Sequence, residues 1–166
     1  MPADMFLEIV TKKGGKVRGE SLDSVYKGEI PVEKFEMGVA SPADYDKSKT
    51  GRITLEHVKF DFPASIASKT LFQTLCTNDE IKTATLTVRR PGADASRIFF
   101  QWRFNDARLV SYKMTGEKEE TTDSITVAYS GVEISYRQHH RDGKVDGSSP
   151  VSYDANTNTM VKPTLT

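Results

Sequence analysis

The chain has 166 residues, of which 37% are hydrophobic and 28% charged, the size and balance of one globular domain with a modest core. Its 23 Lys and Arg offset its 23 Asp and Glu, so no basic field draws it onto nucleic-acid phosphates or an anionic membrane, and identical copies repel one another weakly. Cys76 is the only cysteine; an intramolecular disulfide is excluded and the fold must hold by packing, as expected of a chain that matures in a reducing compartment.

The opening residues, Met1-Pro2-Ala3-Asp4-Met5-Phe6, lack the basic stretch and apolar run of a signal peptide, and no later segment approaches the apolar length of a membrane span. Export is therefore expected to bypass the signal-peptide route. A first strand is predicted over Met5 to Val10, followed by a hairpin turn at Lys13-Gly14-Gly15-Lys16. No helix follows that turn, so it is not a phosphate cradle, and Lys12, Lys13, Lys16 and Arg18 read as a solvated tip. Further strands are predicted over Ile30 to Met37, Ile53 to Phe62 and Ile81 to Arg89. Between the first two of these, Gly38 to Gly51 is a polar loop longer than a hairpin needs, and loops of that kind often carry function.

A single helix is predicted over about 64–76. Pro63 precedes it, Ser65 or Ser68 would cap it, and Ala67, Leu71 and Leu75, with Phe72 and Cys76 beside them, form an apolar stripe at i, i+4 and i+8. A lone amphipathic helix needs a sheet to pack on, so it is expected to plug or cover a barrel. Cys76 is expected to be a small buried core residue.

Ile98, Phe100, Trp102 and Phe104 share one face of a strand. Asn105-Asp106 then supplies turn chemistry, and Val110, Tyr112 and Met114 share a face of a second run, so a tight hairpin is predicted here. From Ile125 to Tyr136 the apolar positions change parity at Ser130-Gly131, which demands a bulge or sharp coil. Long coiled strands of this sort build closed or nearly closed barrels. The expected fold is thus mainly β: an antiparallel β-barrel with one flanking α-helix and an extended loop over about 38–51, as one domain from 1 to 166.

Catalytic and metal chemistry finds little support. His139 and His140 are adjacent and point to opposite faces of a strand end, so with Asp142 and Asp146 they read as a solvated end leading into a turn. The run Asp142-Gly143-Lys144-Val145-Asp146-Gly147 places Lys144 at a calcium-ligand position and Tyr153 where a bidentate Glu is required, which rejects calcium. His57 lies within an alternating strand with no partner motif. There is no Gly-x-Ser-x-Gly, no P-loop and no dinucleotide fingerprint. No cofactor and no enzymatic activity are expected.

The order of segments resembles the haemolysin-coregulated protein (Hcp) family of the bacterial type VI secretion system. The resemblance is carried by Asp4-Met5-Phe6-Leu7-Glu8-Ile9, Val17-Arg18-Gly19-Glu20-Ser21, Ile30-Pro31-Val32-Glu33-Lys34-Phe35, the helix ending in Cys76, Ala84-Thr85-Leu86-Thr87-Val88-Arg89, Val110-Ser111-Tyr112, Asp123-Ser124-Ile125-Thr126-Val127, Ile134-Ser135-Tyr136 and Val151-Ser152-Tyr153-Asp154. It implies a β-barrel that closes into hexameric rings, which stack into the inner tube fired by a contractile sheath. The implied partners are further copies of the chain, the spike protein at the tube tip, the sheath, and effectors in the lumen, with neither nucleic acid nor membrane insertion. The implied location is the bacterial cytoplasm before firing and the extracellular space or target cell afterwards. Gly38, Val39, Ala40, Tyr45, Lys47 and Gly51, in the extended loop, are the expected ring-stacking residues. In the loop Pro42, Asp44 and Asp46 depart from the family's glycine-rich habit. The alternative is a monomeric β-barrel binding a small apolar ligand against Phe100, Trp102 and Phe104.

Overall fold

In the computed structural model, residues 3–41, 53–90, 98–138, 140, 142, 144 and 146–165 are described. Strand β1 (Asp4–Thr11) alternates as its sequence demands, burying Leu7 and Ile9 completely. It turns through Lys12–Gly14 into β2 (Gly15–Lys16), where Gly15 has φ +74°, a conformation that a side chain would strain. Two short strands follow, β3 (Ile30–Pro31) and β4 (Lys34–Glu36), then the hairpin base β5 (Val39–Ala40) and β6 (Thr54–Leu55), and then β7 (Val58–Pro63). Helix α1 (Ile66–Cys76) leads to β8 (Ile81–Arg89), the two long strands β9 (Ile98–Gly116) and β10 (Thr121–Tyr136), and a final hairpin of β11 (Val151–Asp154) and β12 (Thr159–Val161).

Antiparallel pairing runs β1–β8–β9–β10–β7. The segment 30–36 returns this sheet to its start. Its first part pairs with β1 and its second with β7, and between them the Val32 N–H donates to the Met5 carbonyl and the Glu33 N–H to the Asp61 carbonyl, each at 2.9 Å. The hydrogen-bonded path therefore closes into a barrel, as expected. Phe60, Phe62, Phe104, Leu7, Leu86 and Ile125 are fully buried inside it, together with Leu71 from the helix. At about 25 cal/mol per Å² of apolar area removed from water, this interior is the main source of stability.

The helix begins where its cap predicts. The Ala67 N–H donates to the Ser65 hydroxyl at 3.2 Å and the Ser65 N–H donates to the Ser68 hydroxyl at 3.0 Å, a reciprocal capping box. It packs Ala67, Ser68, Leu71 and Thr74 inward, one notch round from the predicted stripe. Phe72 and Cys76 consequently face solvent, which corrects the expectation of a buried cysteine. Phe72 instead meets Tyr112 edge-on at 6.4 Å.

The predicted hairpin at Asn105-Asp106 is not a turn: β9 runs unbroken across it, and the reversal comes at 117–120. What occurs at Asp106 is a kink. Asp106 has φ +45° and its carbonyl accepts from the Ser130 hydroxyl. On one side of it the inward residues are Ile81, Ala107 and Tyr129, paired in a row across β8, β9 and β10; on the other they are Ala84, Phe104 and Val132, likewise a row. The change of parity read at Ser130-Gly131 is therefore real and crosses three strands together. Asp tolerates the left-handed conformation better than most side chains, and pairing with β8 and β10 on both flanks keeps β9 extended where an isolated Asn-Asp pair would turn. A separate one-residue bulge at Val110 leaves that side chain exposed, and Met114 is exposed as well. Trp102 and Phe100 sit at the rim of the core, whereas Phe104 is fully buried. The strands predicted over 30–37 and 53–62 are each interrupted, at Val32-Glu33 and Glu56-His57.

Beyond the kink β10 exchanges partners. Residues 122–127 pair with β7, whereas 131–134 pair with β11 and, through it, β12. The second half of the sheet thus leaves the barrel as a wing with a free edge at β12.

Candidate assembly surfaces

The extended loop springs from the β5–β6 pair, in which Val39 lies opposite Leu55 and Ala40 opposite Thr54. The Glu56 N–H donates to the Gly38 carbonyl at 2.9 Å, and the Glu56 side chain lies where a Cβ on residue 38 would stand. Val39 is exposed. Gly38, Val39 and Ala40 are thereby brought together at the root of the loop, while Tyr45, Lys47 and Gly51 lie outside the described residues. An open cleft at this root is lined by Glu36, Met37, Leu55, Glu56, His57 and Lys59. His57 is exposed.

A second surface is the outer face of the sheet over β1 and β8, covered by residues 19–29. Arg89, 4% exposed, donates to both carboxylate oxygens of Asp23, at 3.2 and 2.6 Å, and to Asp4 at 3.1 Å. Its guanidinium lies 5.1 Å from the centre of the Phe6 ring, which in turn stacks on Tyr26 at 4.8 Å. The Arg89 guanidinium holds the Asp23 carboxyl down at about 2. Asp23 also accepts from the Val25 and Tyr26 N–H groups, and Gly19 packs its α-carbon so closely on the Glu29 backbone that a Cβ would come within 2.4 Å of the carbonyl oxygen. This excursion is a rigid, pinned loop. Beside the pinned Asp23, Leu22 is 93% exposed.

A third group lies on the outer face of β8, β9 and β10. Thr85 and Thr87 are buried here beneath Arg103 and Gln101, which donate to their hydroxyls at 3.2 and 3.1 Å. Glu133 is buried there too. It accepts from Asn105 Nδ2 at 3.0 Å, from the Thr164 hydroxyl at 2.7 Å and from the Thr164 N–H, so the segment 162–165 is strapped across the sheet. Burial pushes its carboxyl up, but the donors from Thr164, Asn105 and the Leu165 backbone outweigh this and hold it below the usual range. Inside, Asp123 is fully buried and takes hydrogen bonds from Ser68 and, at 2.9 Å, from Tyr112, tying the helix cap to β10.

At the strand end after Tyr136, His140 Nε2 lies 3.0 Å from Asp146, both partly exposed; His139 is outside the described residues. Among the described residues no three His, Cys, Asp or Glu side chains are grouped to hold a metal, and no helix is long and apolar enough to cross a membrane. The Arg89–Asp23 and Glu133–Thr164 contacts were not foreseen from sequence, because nothing in the spacing of residues so far apart announces that they meet. The one local signal was the lone Glu133 among the apolar neighbours of β10.

The closed barrel with its one described helix is a fold that known proteins share. The sequence model of the family described as "Type VI secretion system effector, Hcp" matches residues 6–136. Comparison with curated protein sequences returns no match. Among solved structures, Hcp1 from Salmonella typhimurium is similar at 21% identity, covering 97% of this chain and 100% of its own, with a TM-score of 0.77. A type six secretion system protein is similar at 22% identity, with 96% and 100% covered and a TM-score of 0.84. The secreted protein Hcp3 from Pseudomonas aeruginosa follows at 15% identity, 92% and 98% covered and a TM-score of 0.67. With the family match spanning most of the chain and the barrel, helix and strand order agreeing in shape, this protein belongs to the Hcp family of the type VI secretion system, a family of tube proteins.

Proposed function

We propose that the chain is the repeating unit of a type VI secretion tube: six copies close into a ring, rings stack, and the stack is expelled by a contractile sheath with effectors in its lumen and a spike protein at its tip. The observation that carries this reading is the family match over residues 6–136, on a barrel whose wing ends at β12, the last strand of the sheet among the described residues. A free edge at β12 exposes backbone donors and acceptors, and a closed cyclic arrangement covers such edges without unlimited sheet growth. The loop rooted at Gly38, Val39 and Ala40, with Tyr45, Lys47 and Gly51 further along it, is assigned to ring stacking, and the protein is assigned to the cytoplasm before firing and to the exterior afterwards. No observation favours a monomeric ligand-binding barrel, since Phe60, Phe62 and Phe104 fill the interior.

Light scattering with negative-stain images of the same fraction tests it. The expected result is a ring of about six times the 18.5 kDa chain mass, with a Lys47→Glu variant still forming rings but stacking less. A monomer at every concentration would remove the tube reading and leave only the fold.

A further inference from the structure

We infer that neighbouring copies in the ring are joined by a knob and a shelf: Leu22 of one copy seats on the inner face of the β10–β11–β12 wing of the next. This rests on the ring reading above and specifies which two surfaces meet.

The knob is Leu22, which follows Ser21, where the loop 19–29 is closed by backbone bonds to Gly28 and Glu29. A leucine that is 93% exposed, with Val25 half exposed beside it, is unremarkable on a mobile loop. Here it stands on a loop pinned by a buried arginine, two carboxylates and a ring stack. That construction fixes an apolar side chain in water, the pre-organised state of an anchor whose ordering cost is met before contact.

The shelf lies three strands away and on the opposite face of the same sheet. Trp102, Ile134 and Val151 are paired in one row across β9, β10 and β11, and Val132, Tyr153 and Met160 in the adjacent row across β10, β11 and β12. The first members of each row pack on the core, whereas Val151 and Met160 are 50% and 64% exposed and Tyr136 is 45% exposed at the same end. The core-facing side of the sheet thus continues past the barrel wall as an apolar surface.

A second copy is the occupant because the chain carries both halves of the contact. The knob projects from the outer face over β1 and β8, and the shelf is the inner face of a wing extending beyond β10. Laying the wing of one copy over the knob of the next advances along the sheet in one direction. Made once between each pair of neighbours, that is a heterologous contact, the type from which rings close, whereas a two-fold dimer would make it twice. Self-assembly is what membership of this family implies.

The test is a cross-link. In a Cys76→Ser background, Leu22→Cys together with Val151→Cys should give, on mild oxidation, a ladder of covalent species extending to the hexamer, while either cysteine alone should give none. Independently, Leu22→Asp should convert rings to monomers with far-UV circular dichroism unchanged, because the side chain is outside the fold, and with the melting temperature of the unassembled parent chain. Rings in the parent protein with no ladder, and Leu22→Asp rings of full mass, would overturn the knob-and-shelf contact and leave the ring reading standing. A parent protein that is monomeric at all concentrations would overturn both.

Discussion

The two long strands β9 and β10 cross from one kind of structure into another at Asp106 and Ser130, and the two sides differ in what lies beneath them. On the barrel side, β10 has β7 as its second neighbour and α1 across its inner face, and Asp123, Ile125 and Val127 are entirely hidden. On the wing side its neighbours are β11 and β12, and inward burial falls away from Phe104, fully covered, to Met160, mostly exposed. The strand chemistry is alike on both sides, and both alternate apolar with polar. Burial of the inward face is set by whether the barrel closes underneath, so the wing is held by its backbone ladder and by the Glu133–Thr164 strap on its outer face, and its inner face is free to offer apolar area to another molecule.

The largest test of that contrast is a matched pair of truncations. Phe60→Ala, in the barrel interior, is expected to cost about 3–5 kcal/mol, and Val151→Ala, on the wing, less than about 1 kcal/mol in the unassembled chain. Urea denaturation of both variants at low concentration measures this; equal losses would mean that the wing is part of the same core. A smaller effect sharpens the contrast from the knob side. Burial and the neighbouring Glu8 push the Glu29 carboxyl up to about 7. The unfolded chain releases that proton near 4.5 and the folded chain holds it until about 7, so the folded state binds more protons across this window and its stability falls as pH rises through it. Glu29→Gln should flatten that fall and stabilise the protein above the window by about 1–2 kcal/mol after allowance for solvent screening, read from melting temperatures at pH 5 and pH 8. The smallest effect is at the kink. Asp106→Gly, which suits φ +45°, should change stability by less than about 1 kcal/mol, whereas Asp106→Val should cost about 1–2 kcal/mol; a neutral valine would show that the kink relaxes.

Much of this was legible in the sequence. Period-two alternation located β1 and β8 within a residue and the C-terminal end of β10, though not its start at Thr121; Pro63 and Ser65 marked the helix start, and the change of parity at Ser130-Gly131 announced the coil. Family resemblance was legible in the order of many short segments. Asn105-Asp106 misled because the same residue pair serves a turn in isolation and a kink when flanked by strands. Cys76 and Phe72 misled because a stripe of apolar residues wider than the helix's contact face leaves open which side is buried. Of the candidate assembly surfaces, only the position of the extended loop was visible in advance.

By itself, then, the sequence determined the strand periods, the single helix and its cap, the absence of a disulfide and the family, because each of these depends on residues near one another or on composition. Only the tertiary structure decided that segment 30–36 closes the barrel, that Arg89 pins Asp23, that Glu133 straps residues 162–165 and that Val151 and Met160 are left exposed on the wing. Those depend on which distant strands become neighbours, and local side-chain chemistry is compatible with many pairings until backbone hydrogen bonds and core packing select one.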